Sequence, residues 1–192
     1  MTAVAAPAAG ATLDALLRPA GVALLGPGDM DDLRLWGYAG DVRLGAGAGC
    51  DVALVTTGPE GVLPALEACA EAGIMHAVVL TGGTRRSELR AFLASVPSFR
   101  LIGPNCAGVM SPVTGAVLSA SAARLGEPPT AGGAGLVLQS GGIAGGLALT
   151  LLRRGAGFAH LVTTGDELGI GALEVAVAMG DDPACTAIGM FL

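Results

Sequence analysis

Four short apolar runs in the first half of the chain each end in glycine or small polar residues: Gly21–Gly26, Asp51–Val55, His76–Leu80 and Arg100–Gly103. Runs of this length, apolar throughout, read as strands buried on both faces. Between them lie stretches with helical spacing. The clearest is Gly61–Ala72, where Val62, Leu63, Leu66, Cys69 and Ala70 share a face and Gly73 supplies a C-terminal cap. Glu88–Ala94 is helical too, and Thr12–Leu17 predicts a short leading helix capped by Thr12 and stopped before Pro19. Strand and helix alternating in this way predict a parallel sheet with crossover helices, whose ligands bind at the carboxyl ends of the strands. That places Gly26–Gly28, Thr56–Gly58, Thr81–Gly83 and Gly103–Cys106 along one rim.

Glu127–Gly133 reads as a linker, and a second unit starts after it. Its expected elements are a strand at Gly135–Leu138, a turn at Gln139–Gly142 and a helix at Ile143–Arg154. A strand at Phe158–Thr163, a polar loop at Thr164–Glu167, a helix at Ala172–Met179 and a last strand at Ala187–Leu192 follow. The division predicted is therefore 1–129 and 130–192. Two and a half strand–helix units leave a sheet edge and a helix face uncovered. Association through that edge, or partial unfolding after residue 130, is the expectation.

Composition narrows the function classes. Hydrophobic residues make up 52% of the chain but aromatics only 3%, so Leu, Val, Ile and Ala must fill the core, as in layered α/β proteins. The 32 glycines are too many for helix interiors and fit tight strand-to-helix turns. The formal charge is −6 and every cation is arginine, with Arg85–Arg86 and Arg153–Arg154 the only basic pairs. That excludes a nucleic-acid partner, and both pairs read as solvated helix ends or turns. The widely spaced Cys50, Cys69, Cys106 and Cys185 form no metal pattern with His76 or His160 and suit reduced thiols in a cytoplasmic protein. Gly132–Leu152 is apolar, but Gln139, Ser140 and its glycines predict strand, turn and helix, not a membrane span. The start, cut by Pro7 and without a basic region, does not read as a signal peptide.

Three segments carry a family resemblance. Leu101-Ile102-Gly103-Pro104-Asn105-Cys106-Ala107-Gly108 resembles the IGPNCxG segment of nucleoside-diphosphate-forming acyl-CoA synthetases, that is, succinyl-CoA synthetase alpha subunits and acetate–CoA ligases that release ADP. Gln139-Ser140-Gly141-Gly142 is similar to their SQSG turn. Gly165-Asp166-Glu167, with Leu173–Pro183, resembles a further family stretch, with Asp166 where asparagine is usual. Order and spacing agree from about Asp51 to the last residue. The resemblance implies a Rossmann-like CoA-binding domain followed by an incomplete flavodoxin-like α/β domain.

It also implies a CoA-binding, alpha-like part of an enzyme that converts acid, CoA and nucleoside triphosphate into acyl-CoA, diphosphate and phosphate. CoA would lie along Gly26, Gly28, Thr56, Thr57, Thr81, Gly82 and Asn105. ATP or ADP and Mg would come only through a beta-type, ATP-grasp partner subunit or domain. The helix start at Ser140, Gly141 and Gly142 would face a phosphohistidine. From the residues alone, two readings of that turn stand: an anion site made by helix amides and dipole, or a close helix–sheet turn that needs small residues. Asn105 likewise suits a CoA contact or a purely structural turn. Cys106, His76 and His160 read as packed positions.

The chain departs from the family at two places. Gly26-Pro27-Gly28-Asp29-Met30-Asp31-Asp32 puts acidic residues where CoA phosphates favour the opposite sign, and the family lysine has only Arg34 or Arg43 to replace it. The phosphorylated histidine of the family is expected beyond residue 192, so no catalytic residue is assigned here. The alternative function is a non-catalytic CoA-binding or protein-interaction module. A generic dinucleotide binder is disfavoured, since no intact GxGxxG is present.

Overall fold

The computed structural model describes residues 9–26, 37–122 and 125–192. Gly28, the acidic residues of its loop and Arg34 lie outside the described residues. Helix α1 (Ala9–Leu17) opens the chain, starting three residues before the expected Thr12 cap. A five-stranded sheet follows, built from β1 (Gly21–Leu25), β2 (Asp41–Leu44), β3 (Val52–Val55), β4 (His76–Val79) and β5 (Arg100–Ile102). Its order is β2-β1-β3-β4-β5 and every pairing is parallel. Helices α2 (Val62–Glu71), led in by a short 3-10 turn at Pro59–Gly61, and α3 (Arg86–Ser95) are its crossovers. Strand order reverses between β1 and β3, which is where such sheets open a crevice.

The second sheet contains β6 (Gly108–Ser111), β7 (Ala116–Ser119), β8 (Ala131–Leu138), β9 (Phe158–Thr163) and β10 (Ala187–Phe191), in the order β10-β8-β9-β6-β7. Strands β8, β9 and β10 run parallel, while the β6–β7 hairpin joins antiparallel against β9. Helices α4 (Gly141–Arg153) and α5 (Ala172–Gly180) connect the parallel strands. The chain is thus a Rossmann-like parallel sheet joined to a second, flavodoxin-like α/β sheet. Two strands of that second sheet come from before residue 130, and β8 begins inside the expected linker. The hairpin covers one flank, whereas every residue of β10 stays exposed on the other.

A single apolar core links the two sheets. Leu13, Leu16 and Leu17 of α1, at i, i+3 and i+4, are buried with Val22, Leu54 and Ile102 of the first sheet. Val109, Val137 and Val162 of the second sheet and Val175 and Met179 of α5 belong to the same cluster. Each leucine buried there contributes about 2 kcal/mol. The opposite face of the first sheet packs Ala23, Ala53 and Ala77 under α2 and α3, where small side chains let the helices sit close. No described helix is long and apolar enough to cross a membrane.

His160, on β9, is wholly buried. Its Nδ1 lies 2.9 Å from Ser111 Oγ and its Nε2 lies 2.9 Å from Asp182 Oδ2. Arg18, just after α1, donates to both Asp182 oxygens at 2.9 and 2.8 Å. These are the residue types of a hydrolytic triad, but Ser111 is also fully buried and no substrate reaches it. The network ties α1 to the far sheet.

Burial holds the His160 pKa below 6.5, with Asp182 opposing, and burial likewise lowers His76. Burial pushes Asp182 up, but the Ala184 N–H, Arg18 and His160 outweigh it and bring Asp182 to about 2. The unfolded chain therefore binds more protons than the fold both below about pH 6.5 and below about pH 4. Stability is expected to fall as pH drops through the histidine window and again as it approaches 2. Urea unfolding at pH 7.5, 5.5 and 3 checks this; a midpoint unchanged between 7.5 and 5.5 contradicts it.

Candidate functional site

At the switch point the two strand ends nearly touch. Gly26 has φ +133°, and a Cβ there would lie 2.6 Å from both Thr56 Oγ1 and the Thr57 nitrogen, so only glycine fits. Thr56 Oγ1 donates to the Leu25 carbonyl at 3.3 Å, and Thr81 Oγ1 donates to the Thr57 carbonyl at 2.6 Å. Gly82 lies under Asn105: a Cβ would stand 2.7 Å from its Oδ1. Asn105 itself has φ +60°, a conformation asparagine tolerates, and its N–H donates to the Thr81 carbonyl at 2.9 Å. Gly26, Thr56, Thr57, Thr81, Gly82 and Asn105 therefore form one continuous rim. Its small side chains leave backbone near the surface. Of the described cations near this sheet, Arg43 is paired with Asp41, and Arg85 with Glu60 and Glu88.

The rim runs into a cavity of about 730 Å³ between the two sheets. Asn105, Ser140, Gly141, Gly142 and Asp166 line it, together with Arg86. The three resembling segments, far apart in sequence, thus meet. Backbone hydrogen bonds hold them there: Asp166 N–H to Pro104 O at 2.9 Å, Leu168 N–H to Gly103 O at 3.1 Å and Ile170 N–H to Leu101 O at 2.7 Å. Thr163 Oγ1 accepts from the Ala107 N–H at 2.8 Å and fixes the other side of the turn.

Ser140 is the N-cap of α4, its Oγ accepting from the Ile143 N–H at 3.4 Å. The two glycines after it differ. A Cβ on Gly141 would come within 2.6 Å of Ala107 Cβ, so this glycine serves close packing. On Gly142 the nearest atom would be Ser140 Oγ at 3.9 Å, so sterics do not demand glycine there. The close-turn reading thus accounts for Gly141 and leaves Gly142 without a steric reason.

Cys106 packs under the turn, with Sγ 3.2 Å from the Val79 carbonyl, and burial pushes its pKa up to about 12. Such a thiol is a poor nucleophile at neutral pH. The described cysteines are all free, and no described group of three His, Cys, Asp or Glu side chains is arranged to hold a metal ion. His76 and His160 lie in strands and do not line the cavity.

Arg86 is the residue that sequence reasoning missed. The basic pair reads as solvated, and Arg85 does pair with the exposed Glu60 and Glu88. Arg86, however, turns to Asp166, with Nη1 at 3.5 Å from Oδ2. A usable signal was present: a cation in the first turn of a helix opposes the helix dipole and asks for a local reason.

Comparison with known proteins follows the same lines. Residues 131–192 match the family model of the succinyl-CoA ligase like flavodoxin domain. A 4-hydroxybutyrate–CoA ligase (ADP-forming) from Nitrosopumilus maritimus is 25% identical over 150 residues, covering 74% of this chain and 21% of that protein. The alpha subunit of acetate–CoA ligase (ADP-forming) II from Pyrococcus furiosus is 23% identical over 150 residues, covering 74% and 32%. The chain thus spans at most about a third of either relative's length. Among solved structures, the apo form of dinucleotide-forming acetyl-coenzyme A synthetase 1 from Ca. Korarchaeum cryptofilum shares the fold. Its TM-score is 0.82 at 20% identity, over 94% of this chain and 46% of that one. The same enzyme in complex with phosphate and ADP gives 0.81 at 21% identity, over 94% and 45%.

Proposed function

We propose that this chain belongs to the nucleoside-diphosphate-forming acyl-CoA synthetase family and supplies the CoA-binding, alpha-type part of such a ligase. The observation that carries the reading is the meeting of Asn105, the Ser140 helix start and the 165–167 loop in one cavity beside the β1/β3 crevice. In this proposal residues 1–129 hold CoA along Gly26, Gly28, Thr56, Thr57, Thr81, Gly82 and Asn105. Residues 130–192 present the α4 amides and the positive end of its dipole to a phosphoryl group. Neither histidine of these residues lines the cavity, so the phosphorylated histidine of the family mechanism would be brought by other sequence or another chain. ATP or ADP and Mg would be held by an ATP-grasp-type partner. The alpha-subunit relative is named as one subunit of its ligase, which supports a partner chain as such.

A protein-interaction module is the second reading. Exposed Leu173 and Val177 on α5, with Ile188, Met190 and Phe191 on β10, favour it. Amide-resolved NMR with added CoA separates the two. The ligase reading expects shifts confined to Gly26, Thr56, Thr57, Thr81, Gly82, Asn105 and their neighbours. Shifts elsewhere, with none on this rim, reject it.

A further inference from the structure

Arg86 stands at the first residue of α3, and the cavity shows why. Besides its contact with the carboxylate, Arg86 Nη2 donates to the Asp166 carbonyl at 3.2 Å. The other carboxylate oxygen, Asp166 Oδ1, accepts from Asn105 Nδ2 at 3.1 Å. One carboxylate therefore occupies a guanidinium and a side-chain amide on the wall of a cavity whose other described lining residues are uncharged. Guanidinium and amide donors are also the groups an entering anion would use. The side chains of Arg86 and Asp166 are 52% and 26% exposed, so their ion pair is weak and exchange of partner is easy.

We propose that Asp166 is the specificity-determining residue of this cavity, an internal counter-anion that competes with phosphate-bearing ligands for Arg86 and Asn105. A ligand oxygen reaching Arg86 must displace the carboxylate and then remain beside it. The Coulombic penalty grows with the ligand's charge, so a dianion is disfavoured more than a monoanion. The inference deepens the ligase reading and rests on it for the identity of the natural ligand, a phosphoryl group. The competition itself follows from the three side chains.

The test uses inorganic phosphate as probe, titrated by NMR into the full chain at low salt. The proteins compared are wild type, Asp166→Asn and the double variant Asp166→Asn/Arg86→Gln. Asparagine keeps an oxygen that accepts from Asn105 and the backbone link to Pro104, so the loop is retained. A spectrum unchanged outside the cavity checks that. Asp166→Asn is expected to bind phosphate roughly tenfold tighter than wild type, with a steeper loss on adding salt. The double variant is expected to lose the gain. Equal affinity in wild type and Asp166→Asn, including no binding by either, overturns the proposal, as does a gain that survives in the double variant. CoA binding is read separately on the first-sheet rim. A chain that ignores CoA but shows the tenfold gain rejects the ligase reading and keeps the counter-anion role.

Discussion

Gly165→Ala is expected to destabilise the chain by about 3 kcal/mol and to pull the cavity wall apart. Gly165 has φ +58°, already unfavourable for a side chain. A Cβ there would collide with the Pro104 carbonyl oxygen and lie 2.6 Å from that of Asn105. Both are backbone atoms, so no rotamer change relieves the contact. The 103–106 turn and the 164–168 loop would have to separate, losing the Asp166–Pro104 and Leu168–Gly103 hydrogen bonds. Gly142→Ala is the control. It meets nothing nearer than 3.9 Å, sits in the first turn of α4 and is expected to be neutral or slightly stabilising. Urea unfolding of both variants checks the pair. Equal effects would mean that the cavity wall is not held by this close approach.

Asp182→Ala is expected to cost about 3 kcal/mol, through a different mechanism. The carboxylate accepts from Arg18, from His160 and, at 2.8 Å, from the Ala184 N–H. Its removal leaves a buried imidazole N–H without an acceptor and releases α1 from the α5–β10 turn. Asp182→Asn keeps an oxygen for Ala184 but offers Arg18 an amide, so a loss of roughly half that size is expected. Hydrogen exchange locates the effect. Faster exchange in α1 should accompany the loss, and a loss below about 1 kcal/mol would show that the network behaves as a surface ion pair.

The parallel first sheet was legible because buried parallel strands are uniformly apolar and end in small residues. β3, β4 and β5 fall where Val52–Val55, Ala77–Val79 and Leu101–Ile102 put them. The β6–β7 hairpin was not legible. Its strands are four residues long, and its place is set by pairing with β9, some fifty residues away, a relation with no local trace. β2 is exposed at all four positions and carries Asp41 and Arg43, so it has no apolar run to read. β8 extends back to Ala131 because its first glycines admit close neighbours: a Cβ on Gly132 would lie 2.5 Å from the Gly157 carbonyl, and one on Gly133 would collide with Thr186 Oγ1. Locally the same glycines look like a linker. At the site, Asn105 and Ser140 were visible as motif residues. The Arg86–Asp166 pairing was not, since it joins residues eighty positions apart.

The central claim, that the rim from Gly26 to Asn105 recognises CoA, is tested most directly by calorimetric titration of the chain with CoA at low and moderate salt. The account predicts micromolar binding that weakens as salt rises, because the ligand's phosphates would supply much of the attraction. No detectable heat from a chain that is folded by circular dichroism would contradict it.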